Sequence, residues 1–204
     1  MVEIGLLGFL LGIGAALSVG PIFVTIVQEA ATRGFASAFR VILGSLVADL
    51  VLLVPAVAFS WFIAGVAGAS AWLGLAGMAL LLYLGWDAAV TARKMWRGQH
   101  SLSAPSSWSF WKGLTSNLMN PLSWTFWLAT GTPSMLWSYE QAGWLGVAAF
   151  TFTWFTVAVV VELAVAIAVA RSRRRLGPKG LAVLNALAAA TFVALAGVML
   201  AHSF

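Results

Sequence analysis

Long apolar runs, separated by short polar or glycine-bearing connections, set the pattern of this chain. About 20 mainly apolar residues are needed for a helix to cross roughly 30 Å of hydrocarbon. Six segments meet that length, near residues 3–27, 37–62, 70–91, 110–131, 142–170 and 181–203. The second and fifth exceed it, which leaves room for tilt or extension past the bilayer. Period-two alternation is absent, and a barrel strand would be half as long, so the runs predict helices. The expected fold class is all-α: a polytopic membrane protein with six transmembrane helices.

Composition strengthens this reading. The 204 residues are 62% apolar and 8% charged, with a mean hydropathy of +0.98. Soluble domains are about 45–50% apolar and about 25% charged. A water-soluble fold could not hide so much apolar surface, so the lipid bilayer is the expected solvent and partner. The first run lies behind Glu3 rather than a basic segment and is too long for a cleavable signal, so none is expected.

Charge sets the expected orientation. The net charge of +5 suggests nucleic acid at first sight, but all eleven basic residues fall at alternate connections. The first carries Arg33 and Arg40; the third carries Arg93, Lys94, Arg97 and Lys112; the fifth carries Arg171, Arg173, Arg174, Arg175 and Lys179. The second, near 65–70, is uncharged, and the fourth has only Glu140. The positive-inside bias therefore predicts both termini outside, and no nucleic-acid partner is needed. The basic run at 171–175 is also suited to anionic lipid. Tryptophans agree in part: Trp61, Trp72, Trp137 and Trp144 would ring one interface, and Trp96, Trp108 and Trp111 the other. Trp124, Trp127 and Trp154 fall deeper than such belts.

The only extended polar linker divides the chain into halves. We read one membrane domain over 1–204, with a first repeat at 1–97, a linker at 98–108 and a second repeat at 109–204. Each half carries three spans, an odd number, so the halves must be inverted relative to each other. Their irregularities correspond. Gly20-Pro21 interrupts the first run and Asn120-Pro121 the fourth; Asp49 lies in the second and Glu162 in the fifth.

These residues are the candidates for chemistry. Proline removes an amide hydrogen and clashes with the preceding turn, so both helices should break. Freed backbone groups are tolerated at membrane depth only against protein or a watery cavity. Two breaks at matching places point to a midplane binding site, although a lone proline is often only a packing kink. Asn117 and Asn120, beside Pro121, could replace the lost backbone bonds or face a polar solute. Ser18 and Thr25 flank Pro21 similarly. A carboxylate at the depth of Asp49 costs at least roughly 2.5 kcal/mol on insertion scales, so it should face the bundle interior. There it is a candidate for proton or substrate binding, or simply a partner for a polar neighbour. Glu162 is expected nearer the basic side, within reach of that interface or of Arg171. Gly8-x-x-x-Gly12 predicts close helix packing.

Absent motifs narrow the classes. Without cysteine there is no disulfide, thiolate ligand or thiol-electron relay. His100 and His202 form no metal-ligand pattern, and no cofactor is implied. Phosphate-binding loops, HExxH and nucleophile elbows are missing.

The stretch GIGAALSVGPIFVTIVQEAATRGFASAFRVILGSLVADL resembles the opening of the LysE/RhtB superfamily of amino-acid exporters. Gly20 and Pro21 match the end of that family's Pro-Gly-Pro element, Arg33-Gly34 its basic-glycine turn, and Gly44 with Asp49 its second helix. LLLYLGWDA at 81–89 is similar to the third helix, and GLTSNLMNPLSWTFWLATGTP at 113–133 to the segment opening the second half. Val19, Ile22 and Leu122 depart from it, thinning the polar surroundings of both breaks. The resemblance implies export of amino acids or similar small solutes, driven by the proton gradient, from the inner membrane of a prokaryote; it also admits a homodimer.

The expected function is thus secondary active export by alternating access, around a site formed by Gly20, Pro21, Asp49, Asn117, Asn120, Pro121 and Glu162. Trp124 or Trp127 could close over a cation, or simply pack. Two other classes stay open. One is a metal- or other ion exporter using carboxylate and amide oxygens. The other is an intramembrane enzyme using Asp49 and Glu162 as an acid–base pair, which would require both carboxylates at one depth.

Overall fold

The computed structural model describes residues 1–18, 20–58, 62–98 and 106–203, and among these there is helix and no strand. The first apolar run is split into α1 (Val2–Leu17) and α2 (Pro21–Arg33), whose axes differ by 62°. Ser18 (φ −62°, ψ 120°) and Gly20 (φ −116°, ψ −175°) are extended, and Pro21 restarts the helix at its first position. That is where proline fits, since its missing N–H would be unpaired there in any case. The chain turns at Gly34, whose φ of +88° lies in a region side chains rarely adopt, and enters α3 (Phe35–Ala58).

α4 (Phe62–Trp96) takes in residues 65–70, which the hydropathy pattern had assigned to a connection. Small residues such as Gly65 and Ala67 lower the local hydropathy without breaking a helix. The linker expected at 98–108 lies largely outside the described residues, which resume at 106.

The second half opens with the same device. α5 (Trp108–Leu118) ends, Met119 and Asn120 leave helical geometry, and Pro121 starts α6 (Pro121–Phe126). The Asn120 Oδ1 accepts from the Leu122 amide at 3.1 Å, a side-chain cap for the new helix. A π-helical turn, Trp127–Gly131, then leads into α7 (Thr132–Ser203). α7 is not one rod. It breaks at Ala142–Gly143 and again at Gly177, where both glycines have positive φ and Pro178 follows the second. We call its parts α7a (132–141), α7b (144–176) and α7c (178–203). The connection expected between the fourth and fifth spans is therefore helical over 132–141. Pro133 lies in the first turn of α7, where proline does not interrupt helical bonding.

By length and apolarity alone, Phe35–Val54, Leu122–Arg173 and Arg175–Gly197 could each cross a membrane, and the bent pair α1–α2 makes a fourth candidate. The 52-residue stretch joins the later part of the fourth expected span to the whole of the fifth, with non-helical geometry at Ala142 and Gly143 between them.

Glycines set which helices touch. A Cβ on Gly8 or Gly12 of α1 would come within 2.9 Å of the carbonyl oxygens of Phe150 and Trp154, so α1 lies directly on α7b. A Cβ on Gly113 of α5 would collide with the Val41 carbonyl, and one on Gly44 of α3 with that of Phe110. α4 meets α7c where Gly85 faces Ala189 and Phe192. With no hydrophobic gain from lipid to protein, such close backbone approach supplies the dispersion contact that holds membrane helices together.

Two substitutions test this. Gly113→Leu should lower the thermal unfolding midpoint of the detergent-purified protein markedly, as overpacking costs about 1–3 kcal/mol or more. Gly14→Leu, at an exposed position with nothing within 4 Å of its Cβ, should leave the midpoint nearly unchanged.

Candidate functional site

The two breaks face one another across a cavity of about 160 Å³. Its wall includes Ser18, Gly20, Ile22 and Phe23 from the first break, and Asn117, Asn120, Leu122 and Ser123 from the second. α3 contributes Ser45 and Asp49, and α7b contributes Trp154, Phe155 and Glu162. The space suits a solute of several non-hydrogen atoms, since one water needs only about 10–15 Å³ of such volume.

Polar side chains order one face of this cavity. The Asn117 amide donates to the Ser45 carbonyl oxygen at 3.0 Å and lies 3.2 Å from its hydroxyl, tying α5 to α3. Ser123 Oγ donates to Asn117 Oδ1, and Asn120 Nδ2 donates to Ser123 Oγ at 3.0 Å. Asn117 and Asn120 thus spend much of their hydrogen-bonding capacity holding the second break open in a defined shape. The first break has no such device. Gly20 offers no side-chain cap, and the amides of Ile22 and Phe23 find no acceptor among the described residues. Thr25 bonds back to the Pro21 carbonyl at 2.7 Å, so it serves its own helix.

The two carboxylates differ in their partners. Asp49 Oδ1 accepts from the indole of Trp127 at 2.9 Å. Glu162 has no hydrogen-bond or ion-pair partner among the described residues and lines the cavity together with Asp49. The expectation that Glu162 reaches Arg171 is corrected here. Nine residues along a helix of 3.6 per turn place the two on opposite faces. Glu162 lines the same cavity as Asp49.

The deep tryptophans find their explanation in this wall. Trp127 and Trp154 are buried, with ring centroids 4.8 Å apart, and Phe126 stacks on Trp154 at 5.4 Å. Phe155 lies against both tryptophans. Trp124 instead donates to the Leu118 carbonyl at 2.8 Å, satisfying an acceptor freed at the break. Among the described residues, no basic side chain lines the cavity.

Of the residues singled out from the sequence, Gly20, Asp49, Asn117, Asn120 and Glu162 line the cavity, and Pro21 and Pro121 begin the helices at its two ends. Sequence reasoning missed Ser45 and the aromatic wall. Ser45 lies one turn before Asp49 on the same helix face, which is a legible signal. Also missed was a charged cluster between the cavity and the end of the bundle that carries the basic residues. Lys112, assigned to a connection, is 3% exposed within α5, with Glu29 of α2 and Asp87 of α4 as its ion-pair partners.

Comparison with known proteins adds the family. A family model described as LysE type translocator matches residues 13–203, nearly the whole chain, both breaks and both carboxylates included. No curated protein and no solved structure matches the chain. The family match and the cavity between two broken apolar helices agree, and the chain belongs to the LysE type translocator family.

Proposed function

We propose that this protein is a secondary active exporter of amino acids or similar small zwitterions, proton-coupled and working by alternating access. The observation that carries the reading is the shared cavity: two proline breaks, Asp49 and Glu162 converge on one polar space inside an apolar bundle. The family supplies translocation of a small solute across a membrane; the substrate class and the coupling are our inference.

The same reading orders the chain as six spans in two inverted halves, 1–97 and 109–204, with both termini outside. Packing supports it. α1, from the first span, lies on α7b of the fifth through Gly8 and Gly12; α5, from the fourth, lies on α3 of the second through Gly113 and Gly44. If the first span corresponds to the fourth and the second to the fifth, these are one contact made twice. The basic residues then face the cytoplasm of a prokaryotic cell.

In the cavity, the amides at the start of α2 that find no acceptor among the described residues carry partial positive charge and suit a carboxylate. Asp49 and Glu162 suit an ammonium, and Phe23, Phe126, Trp154 and Phe155 offer an apolar wall to the rest of the solute. A carboxyl group that binds either a proton or the ammonium, but not both, provides exchange of one for the other across the membrane. With no basic side chain among the described lining residues, solutes with net negative charge are disfavoured.

Reconstituted protein should release preloaded neutral amino acids when a pH gradient is imposed. Asp49→Asn is expected to reduce gradient-driven efflux by about tenfold or more, the loss of roughly 1.4 kcal/mol at a single step. Equal coupled efflux in wild type and Asp49→Asn would remove this residue from the mechanism. Glu162→Gln should also lose gradient-driven efflux, while keeping substrate exchange at zero gradient if its role is proton transfer alone.

Because both carboxylates line one cavity, two rival chemistries have a geometric footing. An ion exporter would show divalent-metal flux in the same vesicles and no amino-acid flux. An acid–base enzyme would convert solute without any gradient, and both mutants would abolish conversion rather than coupling.

A further inference from the structure

Between the cavity and the basic end of the bundle lies a buried charge cluster that the family description leaves unassigned. Lys112 Nζ donates to Glu29 Oε1 at 3.0 Å and to Asp87 Oδ2 at 2.7 Å. Glu29 also accepts from Ser109 Oγ at 2.7 Å and pairs with Arg33 at 3.1 Å. Glu29 is 2% exposed and Lys112 3%, whereas Asp87 is about one third exposed. Two cations and two anions make the cluster neutral.

Its placement is what carries meaning. α2 and α5 are the two half-helices that run from the breaks to the basic end, and Glu29 and Lys112 join them directly. Lys112 is five residues from cavity-lining Asn117 and Glu29 is six from Phe23, so along their helices the cluster lies about 8–9 Å beyond the cavity at 1.5 Å per residue. On the other side of the cavity, α1 and α6 with the π turn hold no ion pair among the described residues; aromatic rings pack there instead. A buried ion pair is a poor choice for stability alone, because well-packed apolar side chains do as well or better. Its virtue is that water can take it apart. Buried beside the cluster are two polar atoms without partners among the described residues, Gln28 Oε1 on α2 and Ser116 Oγ on α5. An opened passage would hydrate both.

We propose that Glu29 and Lys112 are positioning residues for transport: their ion pair clamps the two inner half-helices and seals the cavity at the basic end, and parting them admits solute from that side. Asp87 braces the lysine from α4, and Arg33 steadies the glutamate. The proposal rests on the transport reading.

The chain has no cysteine, so one introduced thiol reports on the cavity without background. Ser18→Cys places it in the cavity wall. Membrane vesicles of both orientations would be treated with a membrane-impermeant maleimide, and labelling followed with time. With the clamp intact, labelling should be slow from the basic face. Glu29→Gln or Lys112→Met should speed labelling from that face by about tenfold or more, the signature of a shifted open–closed equilibrium. Lys112→Arg should preserve slow labelling. Asp87→Asn, at a partly exposed position that folding tolerates, should give a smaller shift in the same direction.

Unchanged labelling from the basic face in all three neutralised variants, with Ser18→Cys reactive from the opposite face, would overturn the clamp and leave the transport reading standing. A thiol that reacts from neither face in any variant would overturn both. A loss that a structural defect produces would slow transport without making one face more accessible, and that result also counts against the clamp.

Discussion

Backbone polar groups cannot be left bare in hydrocarbon, and everything distinctive here follows from two places where the chain breaks that rule on purpose. Proline at 21 and at 121 ends a helix and begins another inside a long apolar run. The amides and carbonyls set loose there need protein, water or solute. In a bundle this small the economical arrangement is to turn both breaks toward one shared space, and that is where the cavity lies. Asn120 and Trp124 satisfy the second break from within the chain, whereas among the described residues the amides of Ile22 and Phe23 at the first find no acceptor. The asymmetry gives the pocket a donor end at α2 and an acceptor end at the carboxylates.

The surroundings divide the work by physical character. Close glycine contacts fix α1 against α7b, and α5 against α3. The remaining halves, α2 and the α6–π segment, are held differently: one by the ion pair at Glu29 and Lys112, the other by aromatic packing around Trp127. Dispersion between rings changes gradually as they slide. An ion pair with few exposed atoms is either made or hydrated. In the alternating-access reading proposed above, these two kinds of contact would serve as barriers of differing response on the two sides.

Membership of the LysE type translocators, shown over residues 13–203, places the activity as solute translocation. The site chemistry goes further than the family name. Among the described residues the cavity is lined by two acids, four aromatic rings, three serines and two asparagines, and by no basic side chain; the proposed solute, with a cationic end and an apolar body, is chosen to match that lining.

Much of this was written in the linear order of residues. Apolar length and the one-sided placement of Lys and Arg predict membrane helices and their sense, because those signals depend on transfer to lipid and not on neighbours. The breaks at Pro21 and Pro121 were equally legible, since proline acts on its own backbone. Gly8 and Gly12 announced a close contact, though not its partner. What the sequence could not supply were relations between distant residues. Hydropathy placed Lys112 in a connection, because a lysine reads as wet until a partner 83 residues away, Glu29, makes burial tolerable. Glu162 looked bound for the interface until helix rotation turned it toward Asp49. The helical 132–141 segment looked like a loop because its polarity, not its backbone, was what the pattern measured. Local backbone chemistry and lipid partitioning are properties of single residues and short windows; cavities, ion pairs and shared linings arise only when packing decides which faces meet.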